Sequence, residues 1–484
     1  MNAIARFFKL QEAGTTTGTE VRAGVVTFMT MAYIIVVQPL VLSGAGMPLG
    51  GVMLATCLSS AFATLVMGLY ANYPIALAPA MGHNFYFAFL VTSGLVPDWR
   101  VALGAVFVSG TLFVILSFFG FRERIINAVP DSLKYAIAVG IGLLIALVGL
   151  RNAGLVVERR DATGWTLGHF GPEAVLAIIG LAITSALLAF RVKGAILIGL
   201  VATTVVGMVM GLVEPASSPV GKPPWDELKK TALALDIIGA LKFGFFGVIF
   251  TFFFLDLFDT IGTLIGVSQQ AGLMVEGKLP RASRALFADA SGTVVGSLLG
   301  TSTVTSYIES AAGVSEGGRT GLASVVTAIL FILSIFFYPC VQMIAGGTLA
   351  DQTLAFERVE AQVAGPEQDA KDARPVEIPQ GARLIVKRKT PLSPVTAPTL
   401  ILIGCLIMTA VARIPWEDWT EALPAFLAIL MMPLTMNITE GIAFGFIGYS
   451  FLKVVSGRTR ELSPWVAVFA VLFIARYVYG ALSG

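Results

Sequence analysis

Apolar runs of bilayer-crossing length alternate with short polar breaks along most of this chain, and they fall into two groups of seven. A helix needs about 20 apolar residues to cross about 30 Å of hydrocarbon. On that template the first group lies near 22–43, 51–70, 74–93, 101–119, 132–150, 173–190 and 194–213. The polar stretch EPASSPVGKPPWDELKK separates it from a second group at 243–270, 285–300, 303–316, 321–345, 396–413, 421–452 and 463–482. Equal halves with an odd number of spans must have opposite orientation. The pattern therefore predicts an all-α polytopic membrane protein of about 14 transmembrane spans in two inverted seven-span repeats. Such repeats place their binding site near the midplane, on interrupted helices.

The third segment of each half is where interruption is expected. TLVMGLYANYPIALAPAMG contains Pro74 and Pro79, and SLLGTSTVTSYIESAAG is rich in β-branched residues and hydroxyls. The two echo one another, with Gly68 and Gly82 in the first set against Gly300 and Gly313 in the second. Each is read as a short extended piece that continues as a half-helix. Extended backbone at membrane depth persists only where protein or a water-filled cavity satisfies its hydrogen bonds. Facing half-helices would also aim their N-terminal N–H groups, each end equivalent to about half a positive charge, into one cavity.

Composition narrows the class. Of 484 residues 56% are hydrophobic and 13% charged, where a soluble chain is about 25% charged. The mean hydropathy is +0.84. A net charge of +2 offers no basic stripe, which sets nucleic acid aside as a partner. Cys57, Cys340 and Cys405 stand in apolar sequence without metal-ligand spacing and read as small hydrophobes, so no metal site or cofactor is expected. The first eighteen residues hold no apolar core of signal-peptide length, so the first span is expected to insert uncleaved. Basic residues in short loops, Arg122, Arg124, Arg191, Lys193, Lys278, Arg281 and Arg284, share the side of the N-terminus, which places both termini in the cytoplasm. Arg159, Arg160, Lys229 and Lys230 fall opposite, in longer segments where that rule is weaker. Residues 346–395 are charged and too polar to span, and form an extramembrane insertion whose tail, PVEIPQGARLIVKRK, suits a small hairpin or a flexible linker.

Two acids stand inside apolar runs: Asp259 in FTFFFLDLFDTIGTLIGV and Glu309 in GSLLGTSTVTSYIESAAGV. An acid at the bilayer centre costs about 2.5–3.5 kcal/mol on insertion scales, and spans retain such groups for substrate or proton handling. Asp256 and Asp289 have a plainer reading, as hydrogen-bond partners of neighbouring Ser or Thr that pack helices. The glycines of GIGLLIALVG at 140–149 follow no strand and are read as packing glycines.

Four segments in order, MTMAYIIVVQPLVLSGAGMP, YPIALAPAMGHNFYFAF, FLDLFDTIGTLIGVSQQAGL and FADASGTVVGSLLGTSTVTSYIESAAGVSEGGRTGL, resemble the nucleobase and ascorbate transporter superfamily, and within it the AzgA-like purine permeases. The resemblance spans most of the chain. It implies a core domain of spans 1–4 (residues 1–121) and 8–11 (242–345). A gate domain would comprise spans 5–7 (122–241) and 12–14 (396–484), with dimerisation through the gate. It further implies that Asp259, three residues before Gly262, is the acid of span 8, that Glu309 of span 10 holds the base edge, and that Asn84 of MGHN is the polar residue of span 3. Gly82, Ala80, Phe85, Ser310 and Thr263 complete the expected substrate contacts, and Asp259, Glu309 and His83 the proton-coupling set. Ala80, His83 and Phe85 depart from the residues usual in that branch, which leaves the exact base open.

A purine is planar, with donors and acceptors on its edges. An ionised carboxylate accepts two N–H groups at once, in charge-assisted bonds. Glu309 suits adjacent N–H groups of a base, amides near Ala80–Gly82 and Ala311–Gly313 suit a ring carbonyl, and Phe85, Tyr86 and Phe253 suit stacking. The expected function is import of adenine, guanine or hypoxanthine across the plasma (inner) membrane by proton symport with alternating access. Uracil, xanthine or another planar base, and Na⁺ in place of H⁺, form the alternative. A passive channel has no need of two buried acids, and an enzyme needs a nucleophile with its base or a metal cluster, for which His83 and His169 are too few.

Overall fold

A computed structural model describes residues 3–118, 129–158, 164–242, 248–274, 279–345 and 394–483. The 346–393 part of the expected insertion, its hairpin, and Arg122, Arg124, Arg159, Arg160 and Lys278 lie outside the described residues. The described residues are mostly helical. Among the described residues, seven stretches are long and apolar enough to cross a membrane, including Thr17–Ser43, Leu49–Ala71, Asp131–Asn152 and Gly321–Ile344, with shorter apolar helices besides.

The interruptions have local causes. The first span is two helices, Thr17–Met31 and Ile34–Ser43, meeting at Ala32 and Tyr33, with Pro39 inside the second. The second span ends in a π-turn at Met67–Ala71, and Asn72 caps it in the left-handed conformation, φ 54°. Its counterpart is Gly300, φ 102°, which caps Ala282–Leu299. The structural echo of the two halves thus pairs Asn72 with Gly300, whereas the sequence echo aligned Gly68. Asn tolerates φ > 0 almost as Gly does, so the same turn was written in two residue types.

After each cap comes a strand. β1 (Leu77–Pro79) pairs antiparallel with β4 (Val304–Ser306), with Leu77 opposite Ser306 and Pro79 opposite Val304. Bonds from Ala80 N to Thr303 O (2.9 Å) and from Tyr307 N to Ala76 O (3.0 Å) extend the ladder at both ends. Pro79, which has no N–H to offer, sits at the end of its strand. The expected extended segments of spans 3 and 10 therefore satisfy one another, and each leads into a half-helix, Met81–Thr92 and Ser310–Ser315. A second hairpin, β2 (Val156–Glu158) with β3 (Trp165–Leu167), was not anticipated and lies apart from the site.

Helices form two packed sets. In one, Leu49–Val66, Ala282–Leu299 and Phe250–Gln270 flank the strand pair, and Trp99–Phe118, Gly321–Ser334 and Thr17–Met31 pack onto that set. In the other, Asp131–Asn152 packs on Ala397–Ile407 and Trp419–Thr435. There the packing glycines act as expected: a Cβ on Gly404 would stand 2.4 Å from Gly142 O, so two backbones touch where spans 5 and 12 cross.

One expectation is corrected. Residues 421–452, read as one span, are two helices, Trp419–Thr435 and Ile438–Val455, joined at Met436, φ 52°, and Asn437. Lys453 Nζ reaches Glu421 Oε1 (2.7 Å) and Arg458 reaches Asp418 Oδ2 (2.7 Å), so the last turn of one helix lies beside the first turn of the other. Pro464–Ser483 follows this hairpin as a further apolar helix. Of the three thiols, Cys57 is buried as expected, while Cys340 is half-buried and Cys405 exposed.

Candidate functional site

The paired strands end where the half-helices begin, and side chains from both halves meet there. Glu309 immediately precedes Ser310–Ser315. Its Oε1 accepts from the Tyr33 hydroxyl at 2.7 Å, and its carbonyl accepts from Thr30 Oγ1 at 3.3 Å. The break in the first span is what presents Tyr33 to this carboxylate.

Asn84, fully buried in the first turns of Met81–Thr92, accepts through Oδ1 from the Ser302 hydroxyl. Gln38 Nε2 donates to Thr301 Oγ1 (2.9 Å) and Ser302 Oγ (3.2 Å), so spans 1, 3 and 10 share one polar network. Tyr307 closes it on the other side by donating to the Pro79 carbonyl.

Asp259 lies mid-way along Phe250–Gln270, with its side chain 39% exposed and Oδ2 3.9 Å from His83 Nδ1. One turn on, Thr263 Oγ1 bonds the Asp259 carbonyl and the Ser306 hydroxyl, both at 2.9 Å, tying this helix to the end of β4. Behind it, Thr260 Oγ1 lies 2.8 Å from Asp289 Oδ2, 3.3 Å from Asp256 Oδ1 and 2.8 Å from Thr305 Oγ1, and Asp289 Oδ1 accepts from Ser306 N at 3.1 Å. Asp256 and Asp289 thus bond hydroxyls as expected, and Asp289 anchors β4.

Other expected contacts already have internal partners. The Ser310 hydroxyl accepts from Ala76 N at 3.0 Å and holds the strand pair. Ala80 N donates to Thr303 O, Ala311 N to Ile308 O and Ala312 N to Glu309 O, which corrects the expectation that these amides are donors for a ligand. The donors left by helix geometry in the first turn of span 3 are those of Met81, Gly82 and His83. Gly82 keeps the wall thin there, since a Cβ on it would stand 3.0 Å from Ile141 of the opposite helix set.

Of the stacking candidates, Tyr86 packs on Phe252 (ring centroids 5.0 Å) and Phe253 on Phe113 (4.7 Å), both in the core. Phe85 is part-exposed at the edge of the second apolar cluster, which also holds Met81 and Tyr33. Tyr33, Gln38, Ser302 and Tyr307 were missed. Their signal was present as polar groups within apolar or extended runs, but each partner lies 218 or more residues away.

Two carboxylates, an amide and two phenols thus come together around the paired strands, Asn84, Tyr33 and Tyr307 buried and Asp259 part-exposed.

Comparison with known proteins gives this architecture its family. The model described as "Permease family" matches residues 18–349. A putative permease of Methanocaldococcus jannaschii is 47% identical over 486 residues, covering 100% of both chains. The adenine permease AdeP of Escherichia coli is 40% identical, over 98% of this chain and 96% of that one. The guanine/hypoxanthine permease PbuO of Bacillus subtilis is 39% identical, over 96% and 98%. Among solved structures, the transmembrane domain of a cyanobacterium bicarbonate transporter, BicA, aligns with a TM-score of 0.55 at 13% identity, covering 88% of this chain and 97% of that one, and so shares the fold alone. The chain belongs to the permease family, in the AzgA-like branch its motifs resemble, and is a multi-pass membrane transporter rather than an enzyme.

Proposed function

We propose that this permease imports purine nucleobases by proton symport with alternating access, in the plasma (inner) membrane and with its N-terminus cytoplasmic. The observation that carries the reading is the placement of Glu309 immediately before one half-helix and of Asp259 3.9 Å from His83 of the other, in a chain 39–40% identical to proteins named adenine and guanine/hypoxanthine permeases.

Glu309 takes adjacent N–H groups of the base, and Asp259 faces the same cleft. Asn84 bonds the opposite edge, Phe85 covers a ring face, and Ala80 and Gly82 let the base approach the backbone. Thr263 and Ser310 hold the two acids' segments in place. The strand-bearing set of helices, residues 1–121 and 242–345, acts as the core. The 122–241 and 396–484 set acts as the gate, meeting the core at Ile141 and Gly82. Asp259 and Glu309 exchange the coupled proton as access alternates. A proton moving through about 100 mV releases about 2.3 kcal/mol. At about 1.4 kcal/mol per tenfold, that sustains about 50-fold accumulation of a neutral base.

The test is uptake of labelled hypoxanthine into cells that lack their own purine permeases. Adenine, guanine, xanthine and uracil serve as competitors, with a protonophore and Na⁺ withdrawal as separate arms. Protonophore-sensitive uptake blocked by purines supports the proposal. Uptake blocked by uracil alone, or dependent on Na⁺, replaces it with the alternative substrate or ion.

A further inference from the structure

The geometry points to His83 as a positioning residue for Asp259: its imidazole N–H holds one carboxylate oxygen, leaving the other for the base. The inference rests on the site reading above and deepens it.

His83 is 2% exposed, and among the described residues neither ring nitrogen has a hydrogen-bond partner. A buried imidazole with both nitrogens unserved is unfavourable, so some state of the transport cycle must serve them. Its nearest charged group is Asp259, whose Oδ2 stands 3.9 Å from Nδ1. That is about 1 Å beyond a hydrogen bond. The two partners differ in freedom, because the Asp259 side chain is 39% exposed and that of His83 2%. The carboxylate is therefore the group that moves, and the ring is its fixed stop.

The surroundings leave few competitors. Among the helices packed on Met81–Thr92, Ile34–Ser43 carries no ionisable residue. Trp99–Phe118 has Arg100 in its first turn, paired with Asp98. Asp131–Asn152 has Asp131, Lys134, Tyr135 and Arg151 near its ends. Phe250–Gln270 brings Asp256, which meets Thr260, and Asp259. A neutral imidazole carries one N–H and one acceptor nitrogen, and the carboxylate of Asp259 is the complementary acceptor. Enclosure also separates His83 from the role of proton carrier. The ring therefore acts through Asp259 rather than carrying the proton itself.

The experiment is uptake kinetics in proteoliposomes for His83→Leu, which removes the donor, His83→Asn, which keeps one near the Nδ1 position, Asp259→Asn, and the double variant His83→Leu/Asp259→Asn. His83→Ala replaces the leucine variant if that one does not fold. The expected result is a KM raised about tenfold in His83→Leu with Vmax within about twofold, in line with loss of one charge-assisted bond. KM in His83→Asn stays within about threefold of the parent, and the double variant is no worse than Asp259→Asn. Equal losses in His83→Leu and His83→Asn, unchanged KM in both, or losses that multiply in the double variant overturn the inference while leaving the site reading intact. A parental KM in Asp259→Asn overturns both.

Discussion

The Tyr33 hydroxyl donates to Glu309 Oε1 at 2.7 Å, across 276 residues of sequence, and so joins the break in the first span to the half-helix of the tenth. A hydrogen bond to a charged group contributes about 1.5–3 kcal/mol. Tyr33→Phe should therefore raise the KM for purine uptake by about tenfold or more at unchanged protein abundance, because Glu309 loses the donor that sets its orientation. An unchanged KM would show that Glu309 is held by other means.

Asp259 is assigned the coupled proton. Asp259→Asn cannot release one, so uptake by this variant should lose its dependence on external pH while the protein remains in the membrane at parental level. The comparison is initial uptake rate between about pH 5 and 8 for both proteins. Superimposable profiles would remove Asp259 as the carrier.

Glu20 is fully buried, and its carboxylate accepts from Arg319 N (2.8 Å), Thr320 N (3.3 Å) and Ala323 N (3.3 Å), capping the Gly321–Ser334 helix from another span. Glu20→Ala leaves those donors unserved and should destabilise the protein by about 2–3 kcal/mol, read as a lower melting temperature in detergent. Glu20→Gln, which keeps an acceptor, should fall between the two. A parental melting temperature for Glu20→Ala would contradict the capping role.

The C-terminal hairpin carries a pH dependence at its extramembrane end. The Thr420 hydroxyl and then the Arg458 guanidinium hold the Asp418 carboxyl down at about 2, and Arg458 followed by Lys453 does the same for Glu461. A carboxyl held below its unfolded value adds stability that is complete above the unfolded value, about 4, and is lost as pH falls towards 2. Arg458→Ala should thus lower the melting temperature at pH 7, and the gap to the parent should shrink by about pH 3. A gap independent of pH would exclude these ion pairs as its source.

Much of this architecture can be read from the chain. Apolar runs mark the spans, Pro74, Pro79 and the TSTVTSY stretch mark the two interruptions, and the cost of an intramembrane acid marks Asp259 and Glu309. What escapes is set by distance or by ambiguous chemistry. Tyr33 and Gln38 look like tolerated polar residues until the fold brings Glu309 and Ser302 to them. The hairpin at Met436 left only a short signature, Pro433 before the turn and the N-cap Asn437 with Glu440 three residues on, inside an otherwise apolar run. Ser310 and the Ala80 amide look like ligand contacts locally, yet strand pairing across the two halves claims them.

The central claim is that the Glu309 carboxylate binds the purine. Its most direct test is labelled-purine uptake into proteoliposomes under an imposed pH gradient, comparing the parent with Glu309→Gln at matched, folded protein content. The account predicts gradient-driven, purine-competed uptake by the parent and none by Glu309→Gln, with equilibrium binding lost as well. Parental affinity in Glu309→Gln would contradict it and move the site away from the paired strands.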